Sequence, residues 1–502
     1  MALKKRGFIT FFSQLSFLGL ALLFFQRVLI DPDFGWHLRV GEYIWQTKSI
    51  PFKDLFSFSL PGYPYVYHSW LAELLIYFFY RSFGLWGVTF FYTGLLVLAT
   101  WLLAKMAFKR VRLFWVFWFT LLLVPLVQAV VYLRVQTITF LGLVLTYLFI
   151  RGFLKNRSKR IWWLPLVFLF WANLHGGFVL GLFFLASLWF VEVLLLLLVH
   201  IVPFKAYGQI GALNLKKVTK LFLVILACAL MTLVNPYGFK LYGQVLGMGT
   251  NQFALKHNLD WLPLIRPTGP SVLAAGLLYM GLGLILFFQS RVEMREKIML
   301  LLLFFLSLKM NRFAPALVVV WIPALIIFIQ DLIRKAPEVF KKLRPGLVFF
   351  GLFLVGVLSV LGGNFLVRMK EAYQDESAFA REMPLPYRYP DGAVEYIKNN
   401  PVPERIFNDY NWGGYLIWKL PERKFFIDGR MDNFFVEDEP FAAQQWRVTN
   451  LAPDWQEILE NYQIEAILLA SKWPVVQALR ISSDWQIVYE DEGSILFIKS
   501  DQ

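Results

Sequence analysis

The stretch DPDFGWHLRVGEYIWQTKSIPFKDLFSFSLPGYPYVYHSWLAE, Asp31–Glu73, separates two long apolar regions of the sequence. It brings acidic residues, histidines and many aromatic residues into one extramembrane segment. A plain connector between two membrane helices does not need so many ionisable side chains. We therefore interpret this loop as a reaction centre and the apolar helices as its scaffold. Its ionisable candidates are Asp31, Asp33, His37, Asp54, His68 and Glu73.

The composition predicts a polytopic α-helical membrane protein. The chain has 502 residues, 58% of them hydrophobic, and the apolar residues come in long blocks. The formal net charge of +15 does not indicate a nucleic-acid partner, because the basic residues form short clusters between apolar runs. The only cysteine, Cys228, excludes an intramolecular disulfide.

The basic N-terminus, MALKKRG, precedes an apolar run without a cleavage site, which predicts an uncleaved first helix that enters from the cytoplasm. Hydropathy predicts about eleven spans in all. We expect them near Phe8–Ile30, Leu85–Ala104, Leu113–Val131, Val135–Phe153, Ile161–Asn173, Phe178–Ile201, Leu221–Val234, Ser271–Phe288, Ile298–Leu308, Phe313–Ile329 and Gly346–Leu366.

The apolar run Ser69–Phe83 decides the topology. It is short and carries two charged residues, so we interpret it as an amphipathic or re-entrant helix within a first outer loop, residues 31–84. If it were a span, the basic cluster Lys105–Arg112 and every later cluster would change sides. With eleven spans, residues 1–366 form a membrane domain whose strong basic clusters all face the cytoplasm.

Residues 367–502 contain no span and follow a helix that exits the membrane, which predicts a small extracytoplasmic α/β domain. We expect strands near Arg405–Asn408, Lys424–Asp428, Ile464–Ala470, Gln486–Tyr489 and Ser494–Lys499. We expect helices near Gly392–Asn399, Pro440–Val448 and Pro453–Tyr462.

In this topology the unusual polar residues converge on the outer face. Ionisable groups at membrane level usually face a polar cavity and mark a functional site. Convergence from five separate turns is a stronger signal than any single residue. The predicted cavity is lined by Asp33, His37, Asp54, His68, Glu73, Arg134, Asn173, His175, Asn235, Asp260 and Arg312.

Each candidate also has a structural interpretation. Asp31 can cap a loop helix. Asp33 and His37, four residues apart on a helix, can hydrogen-bond each other. His175 precedes two glycines and can serve a tight turn. Arg134 and Arg312 can act as anchors or ion-pair partners, although the arginine fork also suits phosphate.

The sequence resembles the GT-C glycosyltransferases, membrane enzymes that take a sugar from a polyprenyl-phosphate carrier. An acidic DxD element after the first helix, a large first loop, many spans and a C-terminal outer domain carry the resemblance. It extends to oligosaccharyltransferase catalytic subunits, protein mannosyltransferases and lipid A aminoarabinose transferases, and most closely to a group of prokaryotic membrane proteins. The shared motifs are D-x-x-WHL-x-x-G at Asp33–Gly41, IP-x-x-D-x-FS at Ile50–Ser57, FWANLHGGF at Phe170–Phe178, LVNPYG at Leu233–Gly238 and NRFAP at Asn311–Pro315.

The outer domain adds a second resemblance. NDYNWGGYLIW at Asn408–Trp418, followed by FFIDGRMDNF at Phe425–Phe434, is similar to the WWDYG region of oligosaccharyltransferases, which helps to hold the acceptor peptide. The order differs here, because Asn411–Trp412–Gly413 replaces the Trp-Asp-Tyr-Gly run. The resemblance implies acceptor-binding roles for Asp409, Trp412, Tyr415 and Asp428.

The implied reaction moves a sugar from a polyprenyl-phosphate or diphosphate carrier to a lipid, glycan or protein acceptor on the outer face. Such a transfer needs a carboxylate near the acceptor and cationic groups at the leaving phosphate. The resemblance implies catalytic roles for Asp33, Asp31 and His37, and donor-phosphate binding by Arg134, Arg312 and His175.

A divalent cation is a further expectation that the resemblance leaves open. Mg²⁺ or Mn²⁺ would suit carboxylate ligands, and Asp33, Asp31 and Asp260 are the candidates. Some GT-C enzymes do not need a metal.

Two other classes of protein stay open. A transporter or lipid flippase needs polar groups through the depth of the membrane and often has repeated, broken helices. Here the polar groups crowd one surface and no repeat is visible, which favours an enzyme of the outer face. A non-catalytic assembly factor would tolerate the loss of Asp33.

Overall fold

The computed structural model describes residues 31–108, 127, 131, 134–155, 159–201, 213–249, 251–257, 276, 283, 286, 292–335, 338 and 389–500. Helices dominate this part of the chain. The chain divides into two compact units that do not follow its linear order. Described residues of the first unit lie within Thr89–Asn235 and Leu259–Val367, and those of the second within Val28–Val88, Pro236–Asn258 and Arg368–Gln502.

The described α-helices are, in chain order, α1 (Phe34–Thr47), α2 (Trp70–Phe108), α3 (Gln136–Leu154), α4 (Leu164–Leu174), α5 (Phe178–Ile201), α6 (Leu215–Thr232), α7 (Lys240–Met248), α8 (Gln252–His257), α9 (Met294–Lys309), α10 (Ala314–Lys335), α11 (Asp391–Asn399), α12 (Gly413–Lys419), α13 (Phe441–Thr449), α14 (Trp455–Asn461) and α15 (Pro474–Ile481). The 3₁₀ turns are Arg160–Trp163, Asn311–Phe313, Tyr410–Trp412 and Gly429–Asn433. The strands are β1 (Ile406–Asn408), β2 (Phe435–Val436), β3 (Glu439–Pro440), β4 (Ala466–Ala470), β5 (Trp485–Glu490) and β6 (Ser494–Lys499).

Three of the described helices are long and apolar enough to cross a membrane, and they are Trp70–Lys105, Gln136–Leu154 and Phe178–Leu198. In the first unit, α4 packs against α6, and α9 packs against α10 and α5. The predicted span at Phe178–Ile201 coincides with α5, and that at Val135–Phe153 is shifted by one residue from α3. The predicted spans near Phe8–Ile30 and Gly346–Leu366 lie outside the described residues, and those near Leu113–Val131 and Ser271–Phe288 almost entirely so.

Helix α2 contains the expected boundary between the loop helix and the following span. Gly84 interrupts it with a φ of 62°, a conformation that glycine adopts without a steric penalty. The break falls between the two predicted segments, Ser69–Phe83 and Leu85–Ala104, and the assignment of the first as a loop helix stays a prediction.

The second unit joins the first outer loop to the C-terminal part of the chain. Its sheet has the order β1-β4-β6-β5, with β1 parallel to β4 and the other pairs antiparallel. Every residue of β4, AILLA, is buried, as expected for a strand with both faces covered. Helix α15 begins with proline, which is pre-organised for a first turn, and buries Val475, Val476 and Leu479.

The strand predicted at Lys424–Asp428 is wrong. Only Phe425 forms a bridge, and its partner is Ser57 of the first outer loop. The Phe425 amide donates to the Phe56 carbonyl at 3.0 Å, and the Phe58 amide donates to the Phe425 carbonyl at 3.2 Å. The next two amides, of Phe426 and Ile427, donate to the Asn408 side chain. The hydrogen bonds of this segment go to the loop and to one side chain instead of to a sheet.

The stretch between the expected spans Leu221–Val234 and Ser271–Phe288 contains α7 and α8. Both helices belong to the second unit, and hydrogen bonds tie them to its other segments. The Tyr237 hydroxyl donates to the Pro51 carbonyl at 2.8 Å, and the side-chain amide of Asn251 donates to the Asp432 carbonyl.

Candidate functional site

Asp33 occupies the N-cap position of α1, but its carboxylate makes no capping bond to the helix backbone. Instead its Oδ1 accepts a hydrogen bond from the Trp36 indole at 3.0 Å. Asp31 is buried, and its Oδ1 accepts the Asp33 amide at 3.1 Å. The Asp31 carboxylate therefore fixes the turn, while the Asp33 carboxylate is only half-buried.

The turn that carries Asp33 lies against the C-terminal segment of the same unit. A Cβ on Gly429 would fall well inside contact distance of the Asp33 Oδ1, so the carboxylate rests directly on the glycine backbone. In the same way, Gly414 leaves room for the Pro32 carbonyl, and Gly35 leaves room for the Gly414 carbonyl. Glycine at these positions permits the close approach of the two segments.

Two tyrosines of the C-terminal segment, the buried Tyr389 and the half-buried Tyr410, border this turn. Burial, followed by the charges of Asp31 and Asp33, raises the pKa of Tyr389 well above its ordinary value. Burial, followed by the charges of Asp432 and Asp33, does the same to the pKa of Tyr410. Both phenols therefore stay protonated and act as donors. Tyr389 donates to the Asp31 carbonyl at 3.1 Å, and Tyr410 donates to the Asp432 carboxylate at 2.8 Å.

His37 and Glu73 form a buried pair between α1 and α2. The His37 Nδ1 and the Glu73 Oε1 are 3.1 Å apart, and the Glu73 side chain is fully buried. The His37 amide also bonds the Asp33 carbonyl at 3.2 Å, so the histidine shares a helical turn with Asp33 while its ring pairs with Glu73. His68 is half-buried in the turn that precedes α2.

Asp54 and Asp428 meet at Arg430, and all three side chains are buried. The guanidinium contacts the Asp54 carboxylate at 2.7 Å and both oxygens of Asp428 at 2.8 and 2.6 Å. It also donates to the Tyr67 hydroxyl at 3.0 Å. Burial opposes the charged guanidinium, but Asp428, Tyr67 and Asp54 outweigh it and raise the pKa of Arg430 further. A ligand could reach either carboxylate only by displacing this arginine.

The motif Asn408–Trp418 is largely internal to the second unit. The Asp409 carboxylate accepts the Asn411 amide at 3.0 Å and the Trp473 indole at 2.5 Å. The rings of Trp412 and Tyr415 are buried, and the Tyr415 hydroxyl donates to Asp391 at 2.8 Å. The motif thus shapes the surface under the Asp33 turn through its backbone.

In the first unit, His175 has one nitrogen fixed by its neighbours. Its Nδ1 accepts the Gly177 amide at 3.0 Å and lies 2.7 Å from the Thr139 hydroxyl, which in turn accepts the Trp171 indole. A ring that accepts at Nδ1 carries its proton at Nε2 when neutral. This arrangement makes the other edge of the imidazole a hydrogen-bond donor.

The remaining outer-turn candidates of the first unit are held at helix ends. The side-chain amide of Asn173 donates to the Val234 carbonyl at 2.9 Å and so ties the end of α4 to the end of α6. Asn235 donates to the Thr232 carbonyl at 2.8 Å. Arg134 lies in the turn before α3 and Arg312 in the 3₁₀ turn before α10, both half-buried.

The described residues do not by themselves form a metal site. Within the described ranges, no group of three or more His, Cys, Asp or Glu side chains is placed to hold an ion. Asp260 lies outside the described residues. Asp33 and Asp31 lie within one turn, but the Asp31 Oδ1 is engaged by a backbone amide.

Sequence reasoning missed four residues around Asp33, namely Gly429, Arg430, Tyr389 and Tyr410. The run DGRMD did carry a signal for Arg430, because a lone arginine between aspartates suggests a buried ion pair. For Gly429 and the two tyrosines the sequence offers no local signal, since their importance depends on a partner far away in the chain.

Comparison with solved structures shows which fold the chain shares. No protein-family model matches the chain, and no curated protein matches it in sequence. Among solved structures, the apo oligosaccharyltransferase of Archaeoglobus fulgidus aligns with 91% of this chain and 69% of its own, at 14% identity and a TM-score of 0.50. The same organism's oligosaccharyltransferase AglB, in complex with an inhibitory peptide and a dolichol-phosphate, aligns with 97% of this chain and 74% of its own, at 12% identity and a TM-score of 0.50. A form tethered to an acceptor peptide with the NVT sequon gives the same coverage and TM-score at 15% identity. The chain therefore shares the fold of a GT-C glycosyltransferase.

Proposed function

We propose, on the premise of this shared fold, that the chain is an integral membrane glycosyltransferase that moves a sugar from a polyprenyl-phosphate or diphosphate carrier to an acceptor. The observation that carries the proposal is the setting of Asp33. Its half-buried carboxylate rests on Gly429, is oriented by Trp36 and borders two tyrosines that stay neutral. Of the other described carboxylates of the loop, Asp31, Asp54 and Glu73 are buried, and the half-buried Glu42 is paired with Arg39.

Asp33 acts as the general base in this proposal. The acceptor heteroatom forms the new bond to the anomeric carbon, and the bond between that carbon and the carrier oxygen breaks. The carrier phosphate leaves with the electron pair, and the Asp33 carboxylate takes the acceptor proton. Trp36 orients this carboxylate through a hydrogen bond to Oδ1.

The leaving phosphate requires positive charge or hydrogen-bond donors. We propose Arg134 and Arg312 for this role, because the guanidinium fork matches phosphate oxygens. His175 adds a donor at Nε2, since Nδ1 already accepts from Gly177. No step is assigned to a metal, and a divalent cation held partly by Asp260 stays a proposal that a chelator can test.

The acceptor is proposed to bind beside the Asp33 turn. The backbone at Gly413 and Gly414 comes close to Asp428 and to Pro32, next to Asp33. Asp409, Trp412 and Tyr415 would shape this surface from beneath, while Asp54, Asp428 and Arg430 hold its framework.

The test is transfer from a polyprenyl-linked sugar by the purified full chain in nanodiscs, with and without chelator. Asp33→Asn keeps the size of the side chain and can still accept from Trp36, but an amide does not take up a proton near neutral pH. We expect transfer to fall by about 10²–10⁴-fold. Arg312→Ala should instead raise the KM for the donor, since it removes a phosphate partner.

The melting temperature of each variant provides the folding control. Asp33→Asn should stay within a few degrees of the wild type, because the carboxylate is half-buried and is not a partner of Arg430. Wild-type transfer by a folded Asp33→Asn protein would reject the catalytic assignment and favour a transporter or an assembly factor.

A further inference from the structure

A cationic corner, defined by Trp45, Lys48 and Arg81, lies where α1 ends beside α2. The Lys48 ammonium lies 4.6 Å from the centre of the Trp45 ring, and the Arg81 guanidinium lies 5.5 Å from it. Tyr77 and Phe78 of α2 pack against the same indole, with ring centres 6.2 and 6.4 Å away. The two cations therefore come from different helices and share one aromatic ring.

No described carboxylate compensates the charges of this corner. Among the residues that the structure describes, neither Lys48 nor Arg81 forms an ion pair with a carboxylate. The nearest acidic residue on α1, Glu42, is engaged by Arg39 at 2.5 Å. Because both cations lie near the same ring centre, the distance between them is at most the sum of these two distances. That distance is roughly one Debye length, about 10 Å at 0.1 M salt, so the two charges repel each other. An anion between them would relieve the repulsion.

The position of the corner along the chain indicates which anion. Helix α2 has 39 residues and is interrupted at Gly84. The part from Leu85 to Lys105 measures about 30 Å at 1.5 Å per residue, which equals the thickness of the hydrocarbon core. The candidate span extends over Trp70–Lys105, and we take the part after the Gly84 break as the membrane span, as the sequence predicts. This placement puts Arg81 just before the span, at the level of the lipid headgroups. Phe78 and Phe83 on the same segment are 44% and 66% exposed, which suits burial in lipid.

We propose that Trp45, Lys48 and Arg81 bind the phosphate headgroup of an anionic phospholipid, while Phe78 and Phe83 enter the acyl region. This site is separate from the proposed transfer site and uses none of its residues. It anchors the second unit to the membrane surface through α1 and the first part of α2. The inference requires insertion into a bilayer but does not require transfer activity.

The experiment measures phospholipid binding to the full chain in detergent by native mass spectrometry, with phosphatidylglycerol and phosphatidylcholine as the two probes. Each basic residue near a lipid surface contributes roughly fivefold to the affinity for anionic lipid. We expect Lys48→Gln/Arg81→Gln to weaken phosphatidylglycerol binding by about 30-fold. Binding of phosphatidylcholine should stay within about twofold of the wild type, since its headgroup carries no net charge.

The matched control is Lys398→Gln/Lys472→Gln, which removes the same charge from the same unit. Lys472 also lies over an indole, 5.1 Å from the Trp473 ring centre, but far in sequence from any candidate span. The control should bind phosphatidylglycerol like the wild type, and the charge-retaining Lys48→Arg/Arg81→Lys should do so as well. Equal loss in the control, unchanged binding by Lys48→Gln/Arg81→Gln, or equal affinity of the wild type for both lipids would overturn the proposal.

Discussion

At Asp33, three separate parts of the chain act on one carboxylate. Trp36, one helical turn ahead, holds Oδ1. Gly429 supplies a backbone surface beneath it. The pKa values of Tyr389 and Tyr410 are raised by burial first and then by nearby carboxylates, of which Asp33 is one. Because two of these contributions come from the far end of the chain, the carboxylate takes this orientation only when the second unit is folded.

Gly429→Ala tests whether this orientation matters. The added methyl group would collide with the Asp33 Oδ1, which lies at the end of a side chain and can rotate away at the expense of its bond to Trp36. We expect transfer to fall by about 10-fold or more, because a small displacement of a reacting group is costly. The melting temperature should change by only a few degrees. Transfer rates measured in nanodiscs, together with thermal unfolding, check both expectations.

The matched control is Gly243→Ala, in the same unit. A Cβ at Gly243 meets nothing within 4 Å, and the residue lies inside the helix Lys240–Met248. This variant should transfer at the wild-type rate. If Gly429→Ala also transfers normally, the contact between Gly429 and Asp33 has no role in positioning.

For single residues, the sequence allows candidates for a functional site to be selected, but it does not show which residues contact them. Asp33 can be selected because a carboxylate after the first span is unusual, and no other residue needs to be known. The contact between Tyr389 and Asp31 joins residues 358 positions apart, so no local pattern reports it. The i, i+4 spacing of Asp33 and His37 suggested a hydrogen bond between their side chains. In the structure the His37 ring lies beside the buried Glu73 carboxylate.

Among the elements, the pairing of the first outer loop with the segment around Phe425 organises the second unit. Ser57 and Phe425 form a parallel bridge, and the Ser59 hydroxyl donates to the Phe426 carbonyl at 2.6 Å. An apolar extended run predicts an extended backbone, but not where its hydrogen bonds go. The interpretation of Lys424–Asp428 as a sheet strand failed for this reason, whereas β4 and β6 pair within the sheet as their patterns suggest.

Arg430 stabilises this pairing of elements, because it links Asp54 of the loop to Asp428. Arg430→Met would leave two buried carboxylates without a partner, which typically costs about 3–5 kcal/mol. We expect the melting temperature of the full chain to fall by roughly 10 °C. The triple variant Asp54→Asn/Asp428→Asn/Arg430→Met removes the uncompensated charges and should recover part of that loss. Differential scanning fluorimetry in detergent measures both changes.

Arg423→Met is the matched control for this prediction. Arg423 is half-buried and donates only to the carbonyls of Val402 and Pro403, both at 2.9 Å. Its loss should cost about 1 kcal/mol, since no charged partner is left behind. A similar shift for both arginines, or no recovery in the triple variant, would mean that the buried pairs do not hold the loop in place.

For the whole molecule, the charge pattern of the sequence predicts the direction of each span, while the grouping of segments depends on tertiary contacts. Hydropathy indicates where helices lie, and α3 and α5 match their predicted spans closely. The same signal cannot show that the first outer loop belongs to one compact unit with Pro236–Asn258 and the C-terminal segment. The domain division at residue 366 therefore stays a sequence-based proposal.

The topology itself is the last prediction, with the N-terminus in the cytoplasm and the C-terminal segment outside. Each strong basic cluster then faces the cytoplasm, as the positive-inside rule requires. In a Cys228→Ser background, which removes the only thiol of the sequence, single cysteines can report each side. Ile481 is 89% exposed, and Arg160 is exposed before α4. We expect a membrane-impermeant maleimide to label Ile481→Cys in intact cells and Arg160→Cys only after lysis. Labelling in the opposite order would invert every span and place the Asp33 turn in the cytoplasm, where an acceptor and a carrier would have to be sought instead.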